Sequence, residues 1–476
     1  SESYPGGGPR PSYRSTLGIQ PRGRYTSTSP SCCAACDPLS MPRQDIFSTR
    51  RKNPLSTSVS RVARTALVVA AVLLAACAGA PRGPRLSDRQ PDTRDTLILV
   101  SLDGFRWDFM DLAETPALDS LVATGTRAER LVPVFPTKTF PNHYTIVTGL
   151  YPEHHGIVAN NFYDPLFDAS FILSDSETLF RWPWWEGEPI WVTAERQGLT
   201  TATDFWPGSE ADFDGTRPTY WEPYDHELPY DERIDQVLEW LNGEEGPPPD
   251  FIALYFDLID SVAHSYDPES SPRVAEAIRT VDSVVGRLLE GLSVSKKAGQ
   301  VNLLVVSDHG MAPTSPERVI FLDDYLDPDQ ARILDWDPIL SIWPEPSQVD
   351  QVYEALAGAH PHLQVYRRKD IPAEWHYRDH RRIPPLLGVA DEGWSITTRS
   401  VFQTDPAFFE GSNHGYDPSL ASMGALFVAK GPAFEPGLLA SPVRAVDLYE
   451  LMCRILGLTP AQNDGDPGGT EHISRR

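Results

Sequence analysis

Aspartate and histidine side chains recur beside four stretches of sequence that are typical of buried strands. One such residue alone predicts little, because single Asp and His residues often form turns, cap helices or fill the core. Here there are six: Asp103, Asp260, His264, Asp308, His309 and His414. Because ligands bind at the carboxyl ends of parallel strands, we expect these side chains to gather at one edge of a sheet. Carboxylate oxygen and neutral imidazole suit Zn²⁺, and a set of this size suits two ions.

A threonine at a predicted helix start offers a nucleophile for the same site. Thr139 precedes Phe140 and Pro141, and proline is tolerated in the first turn of a helix. The partial positive charge of a helix N-terminus and a bound cation would together activate a hydroxyl that is otherwise a poor nucleophile. Thr139 would equally serve as a helix cap, and this segment alone favours neither role.

Apolar runs alternate with amphipathic stretches after residue 95, and these elements must position the site. Runs with the pattern of strands buried on both faces lie at 96–101, 251–256, 301–307 and 425–429. Helical periods lie at 231–243, 274–292 and 446–456. The alternation predicts an α/β fold, with a doubly wound, mostly parallel sheet and helices on both faces.

A stretch from about 322 to 400 interrupts this alternation. It is rich in Pro and Asp and has only a short helical period, near 349–357. We therefore expect an inserted cap region within a catalytic domain that spans 96–476.

The N-terminal ninety residues predict an export signal rather than a fold. Residues 1–60 are rich in Ser, Pro, Gly and Arg, which predicts disorder or an extension ahead of a true start at Met41. Between 41 and 77 a basic flank precedes a short apolar run, the pattern of a signal peptide. The run ends at Cys77 in a sequence like the lipobox of bacterial lipoproteins, although an ordinary signal peptide would also fit. Residues 78–95 would form a tether, so we expect an exported lipoprotein of the bacterial periplasm or outer membrane.

The charge of the chain is strongly negative and unevenly distributed. The whole sequence has 41 Lys and Arg against 66 Asp and Glu, a formal net charge of -25. Residues 1–90 contain 13 basic and 4 acidic residues (13 − 4 = +9), which leaves 28 and 62 in the remainder (28 − 62 = -34). Because so acidic a body repels polyanions, long nucleic acids are excluded as partners, and a small anionic substrate needs a local positive centre.

Four motifs resemble the nucleotide pyrophosphatase/phosphodiesterase family of the alkaline phosphatase superfamily, and its bacterial members in particular. They are TKTFPNHY at 137–144, GLYPEHHG at 149–156, FWPGSE at 205–210 and DLYELMC at 447–453. The resemblance runs from Leu97 to about Asn463. It departs at Asp204, where the family usually has an apolar residue before the third motif.

The resemblance implies a role for each candidate residue. Thr139 matches the nucleophile and also ligates one zinc ion, together with Asp103, Asp308 and His309. Asp260, His264 and His414 match the ligands of a second zinc ion. Asn160 matches the side chain that donates to a phosphate oxygen, and Phe140 and Tyr224 match aromatic residues that enclose a nucleobase. His143 is treated as structural or solvated.

The function that the resemblance implies is a two-zinc hydrolase for phosphodiester or pyrophosphate bonds of small nucleotides or dinucleotides. It would release nucleoside 5′-monophosphates through a threonyl-phosphate intermediate. A phosphodiesterase for choline-type lipid head groups is an alternative, because aromatic rings also bind quaternary ammonium ions. A surface lipoprotein that binds metal or ligand without turnover is the alternative from another class.

Overall fold

The computed structural model describes residues 94–475. The predicted signal peptide, Cys77 and nearly all of the tether lie outside the described residues. Within residues 94–475, no helix combines the length and apolar character needed to cross a membrane.

One eight-stranded sheet forms the centre of the fold. From one edge to the other, its strands are Leu438–Ala440, Thr126–Ala128, Phe427–Lys430, Val301–Val306, Thr96–Leu102, Phe251–Phe256, Thr201–Asp204 and Tyr220–Trp221. The four central strands from Val301–Val306 to Thr201–Asp204 run parallel. Strand Phe427–Lys430 pairs with Val301–Val306 antiparallel, so the mostly parallel sheet that we predicted includes one reversed strand beside its parallel centre.

Helices cover both faces of this sheet, which confirms the doubly wound architecture. Strand Thr96–Leu102 is buried along its whole length, and its side chains alternate between two hydrophobic cores. Leu97 and Leu99 pack into the core of helices Thr139–Thr148, Ile190–Arg196 and Leu448–Leu456. Ile98 and Val100 pack into the core of helices Pro116–Thr124, Tyr230–Leu241 and Pro272–Val294. A strand with two buried faces explains the continuous apolar run in its sequence.

The stretch that was predicted as an insertion has a hydrophobic core and a sheet of its own. Its four antiparallel strands are ordered Ala331–Ile333, Ile339–Pro344, Leu386–Ala390 and Leu363–Arg367. Helix Val349–Leu356 packs on them through Val352 and Leu356. The predicted helical period is therefore present, whereas the strands were not predicted.

Short elements complete the chain. The strand pairs are Asn161–Asp164 with Ala169–Ile172, Leu131–Val132 with Val443–Arg444, Ala312–Pro313 with Ser412–Asn413, and Val319–Phe321 with Ser395–Thr397. The short helices are Pro152–His155, Ser176–Leu179, Leu258–Ala263 and Arg399–Thr404. The pair Val319–Phe321 and Ser395–Thr397 joins the two ends of the inserted region.

Candidate active site

The carboxyl ends of three adjacent parallel strands bring the predicted Asp residues together. Asp103 directly follows strand Thr96–Leu102, and Asp308 follows strand Val301–Val306 by two residues. Asp260 lies in the short helix Leu258–Ala263 after strand Phe251–Phe256. The parallel register aligns these strand ends, and the backbone N–H of Asp260 donates to the carbonyl of Asp103 at 3.2 Å.

The Asp and His side chains form one continuous cluster of metal-ligating atoms. Three groups each have donor atoms within 4.8 Å of one another: Asp260, His264 and His414; Asp103, Asp260 and His309; and Asp103, His143 and Asp308. The groups share Asp103 and Asp260, which makes the cluster continuous. Each of the six residues predicted as Asp or His ligands is a member of this cluster, and so is His143.

Backbone carbonyls orient two of the histidine rings. Nδ1 of His309 lies 3.0 Å from the carbonyl oxygen of Gly310, and Nδ1 of His414 lies 2.8 Å from that of Thr137. Because a carbonyl only accepts, each Nδ1 carries a proton, and the neutral form of each ring therefore has its lone pair on Nε2. This second hydrogen bond is characteristic of histidines that bind a metal through Nε2.

The Nε2 atoms of the two rings face carboxylate oxygens that have no hydrogen-bond donor. Nε2 of His309 is 3.0 Å from Oδ2 of Asp308 and 3.5 Å from Oδ1 of Asp103, and Nε2 of His414 is 3.5 Å from Oδ1 of Asp260. Among the described residues, Oδ1 of Asp103, Oδ1 of Asp260 and Nε2 of His309 are buried without a hydrogen-bond partner. Such atoms are rare in folded proteins, and a cation between them would satisfy all three. The side chains present therefore fit a metal centre.

The pKa values of the cluster reflect its crowded negative charge. Burial, together with the charges of Asp308 and Asp260, raises the pKa of Asp103 well above its usual range. Burial acts in the same direction on Asp308, but His309 and His143 beside it hold its pKa well below the usual range. Burial and the neighbouring His309 lower the pKa of His414. Adjacent carboxylates that resist joint ionisation are a strong site for divalent cations.

Thr139 is the first residue of helix Thr139–Thr148 and lies beside the cluster. Lys138 occupies the cap position, and no side chain makes a capping hydrogen bond there. Thr139 therefore does not act as the cap, which was the alternative role. The backbone just before Thr139 is held by Asn142, whose Nδ2 donates to the carbonyls of Pro136 and Lys138 at 2.9 Å each. The half-buried Thr139 lines a cavity together with Asp103 and Asp260.

Asn160 contacts the N-terminus of helix Thr139–Thr148. Its Oδ1 accepts the backbone N–H of Phe140 at 3.0 Å. The bond fixes the orientation of the amide, since the N–H requires an acceptor, and leaves Nδ2 to donate. Asn160 also lines the cavity, together with Thr139.

The cavity next to Thr139, which we call the aromatic cavity, has a volume of about 320 Å³. Phe140 and Tyr224 both line it, as do Phe205 and Trp206. The Phe140 ring packs against Trp185 with a centroid distance of 6.0 Å, and Tyr224 packs edge-on against Phe205 at 5.3 Å. The structure thus brings the two predicted aromatic residues to one cavity. Their role in enclosing a base stays a prediction.

Two residues that support the site were not predicted from the sequence. The Tyr255 hydroxyl donates to Oδ2 of Asp103 at 2.6 Å. His143 lies with Nε2 2.8 Å from Oγ of Ser101, and with Nδ1 2.9 Å from the carbonyl oxygen of Thr139 and 3.3 Å from Oδ2 of Asp308. Its spacing of four residues from Thr139 on one helix was an available signal. Tyr255 lies inside an apolar strand, where no pattern distinguishes it.

Asp204 precedes the third motif, Glu210 is its last residue, and both are buried. Burial raises the pKa of each to about 7. Glu210 lines the aromatic cavity, and its Oε1 accepts the backbone N–H of Tyr224 at 3.4 Å. Asp204 does not line the cavity, and its Oδ2 has no hydrogen-bond partner among the described residues. Asp204, where the sequence departs from the family pattern, therefore lies behind the wall of the cavity.

Comparison with known proteins gives consistent matches. The family model of type I phosphodiesterase / nucleotide pyrophosphatase matches residues 97–417. Human ectonucleotide pyrophosphatase/phosphodiesterase family member 5 is 39% identical over 376 residues, which is 79% of this chain and 77% of that protein. Human bis(5′-adenosyl)-triphosphatase ENPP4 is 38% identical over 387 residues, which is 81% of this chain and 83% of that protein.

A solved structure is similar over the same region. Murine ectonucleotide pyrophosphatase/phosphodiesterase 5, in an inactive threonine-to-alanine form in complex with AMP, is 38% identical to this chain. The TM-score is 0.76, and the match covers 80% of this chain and 100% of that chain. These relatives come from mammals, so the bacterial origin that we predicted stays a prediction.

Proposed function

This chain belongs to the type I phosphodiesterase / nucleotide pyrophosphatase family and is an enzyme of that kind, and we propose that Thr139 is its nucleophile. The observation that carries the proposal is the position of Thr139, at a helix start beside the ligand cluster and without a capping role. The inactive threonine-to-alanine form of the murine relative supports the importance of a threonine in that protein.

The family is metal-dependent, and we propose that this chain holds two Zn²⁺ ions. Asp260, His264 and His414 would hold one ion. Asp103, Asp308 and His309 would hold the other, together with Thr139. Support comes from the buried oxygen and nitrogen atoms that lack partners and from the two rings fixed with Nε2 unprotonated. When bound, zinc ions lower the pKa of a hydroxyl beside them and offset negative charge on a phosphate.

In this proposal, Thr139 and Asn160 have separate roles in the reaction. The Thr139 Oγ attacks phosphorus, the bond to the leaving oxygen breaks, and a threonyl-phosphate forms. Asn160 donates through Nδ2 to a non-bridging oxygen, where negative charge accumulates in the transition state. Water then cleaves the phosphorus–Oγ bond, which releases the monophosphate and restores Thr139.

We propose nucleotides or dinucleotides as substrates and nucleoside 5′-monophosphates as products. In this assignment Phe140 and Tyr224 hold the base in the aromatic cavity, where stacking contributes about 1–3 kcal/mol per base. The AMP complex of the murine relative and the triphosphatase name of the human one support a nucleotide. The relatives named as ectonucleotide enzymes also support export of this chain. The lipid anchor at Cys77, the domain limits and the periplasmic or outer-membrane location stay predictions.

The test of the nucleophile compares three threonine variants. Thr139→Ala should abolish hydrolysis of nitrophenyl thymidine 5′-monophosphate while two zinc ions remain bound, and Thr139→Ser should retain part of the rate. Thr148→Ala is the matched control, because it removes a hydroxyl that bonds only within its own segment, at the other end of the helix. Normal turnover in Thr139→Ala would refute the assignment.

The same assay separates the alternative substrate classes. A nucleotide enzyme should cleave the thymidine ester faster than nitrophenyl phosphorylcholine. The reverse order would favour the lipid head-group enzyme, and zinc binding without cleavage of either ester would favour the non-catalytic protein.

A further inference from the structure

An open groove in the inserted region shares no lining residue with the aromatic cavity. This groove, which we call the basic groove, has a volume of about 930 Å³. Its charged lining residues are Asp350, Arg367, Arg368, Lys369, Arg378 and Asp379. Four cations against two carboxylates give the groove a net charge of +2 (4 − 2 = +2).

This local charge is opposite to that of the protein around it. Beyond residue 90 the chain has 62 acidic and 28 basic residues, and between residues 322 and 400 acidic residues outnumber basic ones by 14 to 8. Half of the eight cations of the insertion therefore line one groove. Such a concentration attracts anions locally in a body that otherwise repels them.

Three of the four cations have no carboxylate partner among the described residues. Arg367 pairs with Asp350, which offsets its charge. Arg378 donates through Nε to a backbone carbonyl, which has no net charge. Lys369 is exposed and makes no ion pair with any residue that the structure describes. Asp379, also exposed, is the one lining carboxylate that remains to oppose the three cations.

Arg368 is the cation that most needs a counter-ion, because it is half-buried. Its Nε donates to the carbonyl of Pro384 at 3.4 Å, and its guanidinium carbon lies 5.8 Å from the centre of the Trp343 ring. Burial lowers the pKa of Arg368, since removal from water disfavours the charged form. A bound anion would offset this cost, and the planar guanidinium group matches the geometry of phosphate oxygens.

Backbone hydrogen bonds hold both sides of the basic groove in place. The N–H of Arg368 donates to the carbonyl of Pro385 at 3.0 Å. The N–H groups of Arg378 and Asp379 donate to Oε2 of Glu153 at 2.6 and 3.0 Å. Glu153 is buried and lies outside the insertion, so the groove is anchored to the rest of the fold. An anion that binds here meets fixed backbone and orders little of the chain.

We propose that the basic groove binds a phosphate group with two negative charges, at a site separate from the candidate active site. A phosphate monoester carries close to two charges at neutral pH, which equals the net charge of the groove with opposite sign. A free phosphate and the head group of a lipid such as phosphatidic acid share this chemistry. A long polyanion does not fit, because it would extend from the groove over an acidic surface.

The test measures binding of radiolabelled inorganic phosphate to the full chain by equilibrium dialysis. A variant with Arg368→Gln and Lys369→Gln should bind about one phosphate fewer per chain than the wild type, or bind it about 10- to 100-fold more weakly. Phosphate held at the candidate active site is common to both proteins and cancels in the difference. Lys369→Glu alone should weaken binding about tenfold and leaves the half-buried Arg368 in place.

The matched control is a variant with Lys296→Gln and Lys297→Gln. These neighbouring lysines donate to backbone carbonyls and line neither the basic groove nor the aromatic cavity, so the variant loses the same two charges elsewhere. It should bind phosphate as the wild type does. Equal binding by the wild type and both groove variants, or an equal loss in the control, would overturn the inference.

Vesicles identify the source of the phosphate. Sedimentation of the wild type with phosphatidylcholine vesicles that contain phosphatidic acid, lost in the groove variants, would assign the site to a lipid head group. Binding of inorganic phosphate without such sedimentation would assign it to a free anion, and the absence of both would refute the site. Hydrolysis of nitrophenyl thymidine 5′-monophosphate should be unchanged in the groove variants, which shows that they fold. Absence of this hydrolysis in the wild type would refute the proposed function and leave the groove test intact.

Discussion

Tyr255 provides a sharp test of the ligand cluster, because a single hydroxyl connects it to Asp103. Its O–H donates to Oδ2 of Asp103 at 2.6 Å, which leaves Oδ1 for a metal. This hydrogen bond also lowers the pKa of Asp103, against the larger effects of burial and of the neighbouring carboxylates. Tyr255→Phe removes the bond and keeps the ring, so packing against His143 and Tyr224 is preserved.

The size of the effect follows from the bond. A short hydrogen bond to a charged acceptor contributes about 1.5–3 kcal/mol. Since each 1.4 kcal/mol is a factor of ten, zinc affinity should fall by about 10- to 100-fold. The loss should be larger at pH 6 than at pH 8. Without the donor the pKa of Asp103 rises further, and a proton then competes more strongly with the metal.

Competition with a chelator measures the affinity, and activity at saturating zinc measures what remains. Tyr230→Phe is the matched control, because its hydroxyl donates to another carboxylate, Asp257, at 3.0 Å, outside the proposed ligand set. Its zinc affinity should equal that of the wild type. Equal affinity in Tyr255→Phe and Tyr230→Phe would show that the Asp103 carboxylate does not bind the metal as we infer.

Three further predictions concern catalysis and stability. Asn160→Ala should lower kcat by about 100- to 1,000-fold with little change in KM, measured by steady-state kinetics. Asp204→Asn should raise the free energy of unfolding by up to about 4 kcal/mol at pH 8 but little at pH 4, as measured by urea titration. With a pKa near 7, native Asp204 keeps its proton, whereas the unfolded chain releases it above about pH 4. The stability of the wild-type protein therefore falls between pH 4 and pH 7. Arg382→Met should cost about 1–3 kcal/mol in the same assay, because it removes the 2.6 Å ion pair to Asp164 and leaves the buried carbonyls of Gly156 and Trp184 without a donor, while Arg381 still pairs with Asp164; an unchanged free energy of unfolding would contradict this.

The parts of the fold that the sequence predicted are those buried on both faces. Strands Thr96–Leu102, Phe251–Phe256 and Val301–Val306 are buried in this way and stand out as apolar runs. The direction of Phe427–Lys430 depends on its tertiary connection, and its apolar pattern is the same for either orientation. In the insertion, strands Ala331–Ile333 and Leu363–Arg367 are half exposed and lack a clear period. Strands Ile339–Pro344 and Leu386–Ala390 are buried apolar runs, but they lie in a Pro- and Asp-rich stretch and were not predicted.

The residues of the candidate site also fall into those that the sequence predicted and those that it did not. Asp103 and Asp308 were found because strand ends converge at one edge of a parallel sheet, a rule that needs no coordinates. Tyr255 was missed because its partner, Asp103, lies far away in the sequence, and the ion pair of Lys138 with Asp335 is equally distant. Long-range pairs of this kind leave no local pattern.

The ion pair between Lys138 and Asp335 limits how far the enzyme can be reduced in size. Both side chains are less than a tenth exposed, and they join the residue before Thr139 to the inserted region. Deleting the insertion would remove Asp335 and the carbonyls of Trp336 and Asp337, and with them every polar contact that the structure gives the Lys138 ammonium group. A shortened version of this hydrolase would therefore lose the contacts that hold the residue before Thr139, whichever side chain replaced Lys138.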